Sequence, residues 1–330
     1  METMYNQAKA DFLKSKFNSK LIPEIELIEI ELFNMLSDSK GTIRDMCTKI
    51  INAGGKRIRP LLVMYSGLAF SPVLTKEIIH AATAAELIHM ASLVHDDIID
   101  NSKLRHNRAS VNSSWGNHFA VLCGDYLFSK AFGVLSNTSL SKSLELMVKA
   151  IENMCQGEIL QANNRYNVDI DVSTYYEIIS KKTAIFIECC CISGAFVSGA
   201  TKKEAEALGG YGLNMGLAFQ IMDDILDMCG KTNIMGKPKF EDLQQGNITL
   251  PIIMLLKEPG YRDAINEVIK RDGNIEIISS ILEELNIIEE CYKVAVNHIK
   301  KAQNFLSFLP QSEYKTKLYD VANMLMVRSN

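Results

Sequence analysis

KEIIHAATAAELIHMASLVHDDIID, residues 76–100, decides the fold. Ala81, Ala82, Ala84, Ala85, Leu87, Ile88, Met90, Ala91, Leu93 and Val94 make the stretch apolar almost all the way round. A helix without a polar face belongs at the centre of a bundle. The stretch closes on Asp96-Asp97-Ile98-Ile99-Asp100, and a second run, Asp223-Asp224-Ile225-Leu226-Asp227, closes a similar helix from Lys202 to Met228. A carboxylate in apolar surroundings without a partner is costly or shifts its pKa until it neutralises, so six together need cations. On a helix the first and last acid of each run share a face, and the middle one neighbours the last. Each run is thus a comb of oxygen ligands. Two combs face to face would hold hard divalent ions with positions left open for a phosphate-bearing substrate. Their place near the carboxyl ends of two buried helices predicts that both stand at one mouth of a deep apolar bundle.

Outward from these helices, apolar residues recur at three- and four-residue spacing through nearly the whole chain, and no alternating run suggests a sheet. The fold class is all-α, a single large helical bundle with a central apolar cavity, one domain over 1–330. Helices are expected at 22–37, 42–53, 58–70, 75–102, 115–133, 140–165, 173–198, 202–229, 249–257, 261–271, 274–285, 287–308 and 311–327. Gly54-Gly55, Ser71-Pro72, Gly230 and Pro259-Gly260 mark breaks between them. No repeat of fixed period and no low-complexity linker divides the chain.

With 35 basic and 39 acidic residues the net charge is −4, which argues against a nucleic-acid binder; any phosphate binding must be local. The eight cysteines, three of them at 189–191, show no zinc spacing and read as reduced core residues of a cytoplasmic protein. Residues 1–20 mix charges with apolar residues and lack the core of a signal peptide. The longest apolar window, Pro60 to Leu74, is too short for a transmembrane segment, so the protein is expected to be soluble.

Cations flank the combs. Gly54-Gly55-Lys56-Arg57-Ile58-Arg59-Pro60 sets three basic residues on a turn entering a helix, a feature that is by itself most often a solvated loop. Arg105-His106-Asn107-Arg108 follows the first comb with Lys103 nearby, and Lys231, Lys237 and Lys239 lie beside the second; for these lysines other than Lys237 simple charge balance is the preferred reading. His89 lies two helical turns before Asp96 on the same face, which favours a ligand contact, whereas His95 points elsewhere and reads as a hydrogen-bonded core residue. Glu86 and Glu158 form no evident acid–base pair, and no nucleophile elbow is present.

Together, in their order from residue 54 to 251, the segments GGKRIRP (54–60), HMASLVHDDIID (89–100), Gly157-Glu158 with Gln161, Lys182-Thr183, GLAFQIMDDILD (216–227), Gly236-Lys237 and Thr249-Leu250-Pro251 closely resemble those of the trans-isoprenyl (polyprenyl) diphosphate synthases. The likeness is to the medium- and long-chain type, such as the catalytic component of heptaprenyl diphosphate synthase. It implies the isoprenoid synthase fold and a reaction in which isopentenyl diphosphate is added repeatedly to an allylic diphosphate. By the same resemblance Asp96, Asp97, Asp100, Asp223 and Asp227 bind Mg²⁺, three ions once substrate is present, and Asp224 shares in holding the allylic diphosphate. Arg105, Lys182 and Lys237 would contact its phosphates; Lys56, Arg59 and His89 would seat isopentenyl diphosphate; Thr183 and Gln220 would support the allylic cation.

One motif departs from the family pattern. Two adjacent arginines are usual there, but this chain reads Arg105-His106-Asn107-Arg108-Ala109, so either His106 or Arg108 stands in for the second arginine's contact with isopentenyl diphosphate. Ser92, Ala91 and Ile88, one and two turns before Asp96, would wall the cavity for the growing chain. Where family members making short products commonly carry aromatic residues, Ala91 and Ser92 are small, so an all-trans product of about hexaprenyl to octaprenyl length is expected on side-chain volume. A farnesyl or geranylgeranyl synthase, the catalytic subunit of a heterodimer, a cyclising terpene enzyme and a non-catalytic helical subunit are the competing readings. A homodimer is the expected assembly, a heterodimer its alternative, and product release allows transient membrane contact.

Overall fold

The computed structural model describes residues 23–105, 108–229, 240–269 and 275–327. Its helices in chain order are α1 (23–35), α2 (Gly41–Asn52), α3 (Ile58–Leu68), α4 (Lys76–Ile99), α5 (Val111–Trp115), α6 (Asn117–Leu135), α7 (Ser141–Asn163), α8 (Val172–Ile179), α9 (Ile185–Val197), α10 (Lys202–Cys229), α11 (Glu241–Gln244), α12 (Leu250–Leu256), α13 (Arg262–Ile269), α14 (Ile275–Glu284), α15 (Ile287–Phe305) and α16 (Glu313–Val327). The all-helical expectation holds with one small addition. Antiparallel strands β1 (Leu104–Arg105) and β2 (Arg108–Ala109) pair just beyond the first comb, where two residues per strand leave no alternation to read.

Two compact units are present. The first takes in the chain up to Val148 with Cys189–Leu208 and Phe308–Leu318. At its heart α4 is buried on every side: Ala81, Ala82, Ala84, Ala85, Leu87, Ile88 and Ala91 expose none of their surface. Thr75 Oγ1 starts the helix by accepting from the Ile78 N–H at 3.3 Å, meeting one of the orphan donors of the first turn. The expectation that the longest apolar window runs from Pro60 to Leu74 is corrected here: Lys76–Ile99 is long and apolar enough to cross a membrane, though 67% of its apolar window is buried within the protein. α3 is buried continuously from Pro60 to Leu68 and meets α9 where Gly194 approaches it; a Cβ there would sit 2.0 Å from the Val63 carbonyl oxygen. The interhelical gap therefore excludes any side chain at 194.

The second unit comprises Lys149–Glu188, Gly209–Ser307 and the chain from Tyr319. Its core draws Ile178 and Ile179 from α8, Ile221, Met222 and Ile225 from α10, Ile252 and Leu255 from α12, and Cys291 and Ala295 from α15. The expected helix over 173–198 is interrupted here. Residues Ser180–Ala184 form a π-helical turn between α8 and α9. Two glycines press on it: a Cβ at Gly157 of α7 would lie 2.8 Å from the Lys182 backbone nitrogen, and one at Gly216 of α10 would lie 2.5 Å from the Ala184 Cα. Such bulges widen a helix locally and aim its side chains anew.

Six of the eight cysteines are buried as expected, but Cys155 and Cys229 are exposed, on the outer side of α7 and at the last residue of α10, so the core reading is corrected for these two. All eight are free thiols.

Candidate active site

In the first unit the comb ends α4. Asp97 is buried, Asp96 half-buried and Asp100 exposed as the residue capping the helix. No basic residue stands in the last turn of α4, and the same is true of α10. Acids at a helix carboxyl end oppose the macrodipole, each destabilising by about 0.3–1 kcal/mol, so both combs occupy the ends that favour bound cations. Arg105, at the end of β1, donates from Nη2 at 2.6 Å and from Nε at 3.1 Å to the same oxygen of Asp97. The guanidinium expected to meet phosphate also steadies the comb. His95 contacts the Val121 carbonyl oxygen at 3.2 Å and packs its ring beside Phe128, but its side chain is 29% exposed, so it is hydrogen-bonded as expected without being the core residue foreseen.

The basic turn has two faces. Lys56 is exposed, and Arg59 Nη1 lies 3.1 Å from His89 Nε2, so these two expected substrate contacts are brought together. Arginine can only donate, so Nε2 accepts and the imidazole carries its proton on Nδ1. Arg57 turns inward at φ 47°, donating at 2.7 Å to Glu29 and at 2.7 Å to Glu86. Arg108 of β2 donates at 2.6 Å to the Asn52 carbonyl oxygen, directly before the Gly54-Gly55 turn. The wall residues Ile88 and Ala91 are fully buried; Ser92 is half-buried, its hydroxyl returned to the His89 carbonyl at 2.8 Å.

In the second unit the π turn and the second comb are joined by hydrogen bonds. Thr183 Oγ1 donates to Gln220 Oε1 at 3.0 Å, Gln220 Nε2 donates to Asp224 at 3.1 Å, and Tyr175 OH donates to the other Asp224 oxygen at 2.6 Å. Lys182 is held by Glu158 at 2.5 Å and also donates to Gln161. Burial drives the Asp224 carboxyl well above the ordinary range, Asp242 adds to this, and the Tyr175 and Gln220 hydrogen bonds pull it back. Burial next to Asp242 likewise lifts Asp227 to about 7. Asp227 Oδ1 accepts from the Glu241 N–H at 3.1 Å, while its buried Oδ2 has no hydrogen-bond partner among the described residues. Asp223 is exposed.

This donor set fits a hard divalent cation: all ligands are oxygens, negative charge accumulates through Asp242, and one buried carboxylate oxygen is orphaned. Among the described residues no three His, Cys, Asp or Glu side chains close into a finished metal cage. Lys237, with Lys231, Lys239 and His106, lies outside the described residues.

Tyr175 and Asp242 escaped the sequence reading. Tyr175 stands 49 residues before the acid it touches, a separation that leaves no local signal. Glu86 and Glu158, unpaired as acids and bases, instead hold Arg57 and Lys182.

An all-helical chain bearing these acids and cations has close structural counterparts. Heptaprenyl diphosphate synthase from Staphylococcus aureus superposes with a TM-score of 0.89 at 29% identity, covering 94% of this chain and 99% of that one. A polyprenyl synthase from Caulobacter crescentus CB15, complexed with calcium and isoprenyl diphosphate, gives 0.86 at 29% identity over 94% of this chain and 98% of that one. In sequence, heptaprenyl diphosphate synthase component 2 of Geobacillus stearothermophilus is 35% identical, over 92% of this chain and 95% of its own length. The fold is that of the isoprenoid synthases, and the class is trans-prenyltransferase. Residues 40–285 match the polyprenyl synthetase model, and the chain belongs to that family.

Proposed function

We propose that this chain is a medium- to long-chain polyprenyl diphosphate synthase, adding isopentenyl diphosphate to an allylic diphosphate until an all-trans product of about hexaprenyl to octaprenyl length is released. The observation that carries the reading is near full-length identity of 35% to a heptaprenyl synthase component, joined to small residues at Ala91 and Ser92. Four of the five boundaries between the two units fall inside α7, α9, α10 and α16, whereas independent domains are divided in exposed linkers, so we take the chain as one synthase domain.

In the proposed reaction Arg105, Lys182 and Lys237 bind the allylic diphosphate, and Lys56, Arg59, His89 and Arg108 bind isopentenyl diphosphate. Asp96, Asp97, Asp100, Asp223 and Asp227 hold magnesium, and Asp224 orients the network beside them. Magnesium, when bound there, supplies charge neutralisation of the departing diphosphate. The allylic C–O bond breaks with its electrons leaving on oxygen, and the Thr183 and Gln220 dipoles support the resulting carbocation. The double bond of isopentenyl diphosphate attacks that carbon, a proton passes to the released diphosphate, and a new double bond remains. Ile88, Ala91 and neighbouring apolar residues keep water from the cation.

The experiment is mass analysis of products formed by the purified chain from farnesyl and isopentenyl diphosphates with Mg²⁺. A ladder ending at six to eight isoprene units supports the proposal; a product of fifteen or twenty carbons refutes the chain length. The relatives named component 2 favour a second reading, a catalytic subunit that needs a partner chain. Turnover by the chain alone decides between a homodimer and that heteromer.

A further inference from the structure

Of the three basic residues on the turn, the middle one does not face where a substrate could meet it. Arg57 exposes 2% of its side chain and Glu86 exposes 4%, with Nη1 2.7 Å from Glu86 Oε1. Its Nε reaches Glu29 at 2.7 Å, and Nη2 donates to the Ile51 carbonyl oxygen at 3.2 Å. One side chain thereby fastens α1, the end of α2 and the middle of α4. The backbone bends to permit this: Gly54, Gly55 and Arg57 all have positive φ, at 73°, 150° and 47°. For a residue bearing a Cβ, the left-handed conformation at 57 is strained, and it persists only where surrounding contacts impose it. It turns Arg57 into the protein while Lys56 stays exposed.

Buried ion pairs seldom stabilise more than apolar residues of like volume, because desolvating both charges offsets most of their attraction. Glu86 Oε2, moreover, is buried with no hydrogen-bond partner among the described residues. A pair with so little stabilising advantage is better explained by geometry. Glu86 precedes His89 by three positions on α4, and His89 is the residue that Arg59 touches. Two arginines two apart on the turn are thus registered against two residues three apart on α4.

We propose that Arg57, locked by Glu86, is the positioning residue of the isopentenyl diphosphate subsite, fixing the 54–60 turn so that Lys56 and Arg59 present their charges together. This rests on the function proposed above. It assigns Arg57 no contact with substrate.

Arg57→Met, Arg57→Lys, Glu86→Gln and Glu29→Gln are compared in steady-state assays with Mg²⁺, varying each substrate in turn, with thermal midpoints recorded alongside. Glu86→Gln keeps the acceptor and removes the charge, so it decides the matter if Arg57→Met does not fold. The expected result is a rise of about tenfold or more in KM for isopentenyl diphosphate in Arg57→Met and Glu86→Gln, the factor that ~1.4 kcal/mol of lost registration gives, with kcat and the allylic KM within about twofold. Arg57→Lys should recover part of the loss, and Glu29→Gln, whose carboxylate is 30% exposed, should lose least. Equal changes for both substrates, or lowered midpoints with unchanged KM, overturn the positioning role. Absence of prenyl transfer by the unsubstituted chain would instead overturn the function itself.

Discussion

Replacing Tyr175 by phenylalanine removes a single oxygen from the second unit. That oxygen donates to Asp224 at 2.6 Å, a short contact between two buried oxygens. Leaving a buried hydrogen-bonding partner unsatisfied costs about 1–3 kcal/mol, and the retained ring keeps its edge contact with Tyr176 at 5.7 Å, so the loss falls on the hydrogen bond and not on packing. Asp224 is then left with Gln220 and with the repulsion of Asp242, and the Thr183–Gln220–Asp224 line loses its terminal anchor. We expect a thermal midpoint several degrees lower. We also expect kcat to fall by about tenfold or more, the equivalent of ~1.4 kcal/mol or above in the transition state, with both KM values little changed. The assay is prenyl transfer with radiolabelled isopentenyl diphosphate, repeated in Asp224→Asn and in the double variant. If the network acts as a unit, the double variant is scarcely worse than Asp224→Asn alone. Independent, additive losses would refute the argument, as would a Tyr175→Phe enzyme with full kcat.

Three other outcomes are expected. Arg108→Ala should raise KM for isopentenyl diphosphate more than for the allylic substrate, since Arg108 reaches the Asn52 carbonyl beside the basic turn; equal effects in the two titrations would count against it. Ser92→Phe or Ala91→Phe should shorten products toward fifteen or twenty carbons on chromatography, and an unaltered profile would remove these residues from the cavity wall. Gly216→Ala sets a Cβ 2.5 Å from the Ala184 Cα, an overpacking of about 1–3 kcal/mol that should lower both thermal midpoint and kcat, because the strain reaches Lys182 and Thr183; an unchanged midpoint would show that the π turn yields freely.

What could be read from residue types alone was what local physics determines. α4 and α10 were legible because apolar residues surround them and acids end them, and the sequence placed α10 at its observed bounds. Arg59 and His89 were each expected as substrate contacts, but nothing in the sequence showed them as neighbours 3.1 Å apart. The π turn was not legible, because its cause lies in Gly157 and Gly216, on helices remote in sequence. Arg57 read as one more surface cation, since nothing in K-R-I-R reveals that its second member adopts a left-handed backbone and points inward.

The placement of acids at the ends of α4 and α10, with no basic residue in either last turn, bears on how such a protein endures. Stripped of cations, the chain carries repulsion among these acids; under the metal binding proposed above, the same groups would become its clasps. Robustness should therefore track metabolic load, and preparations kept in chelating buffer should age faster than those stored with magnesium and pyrophosphate.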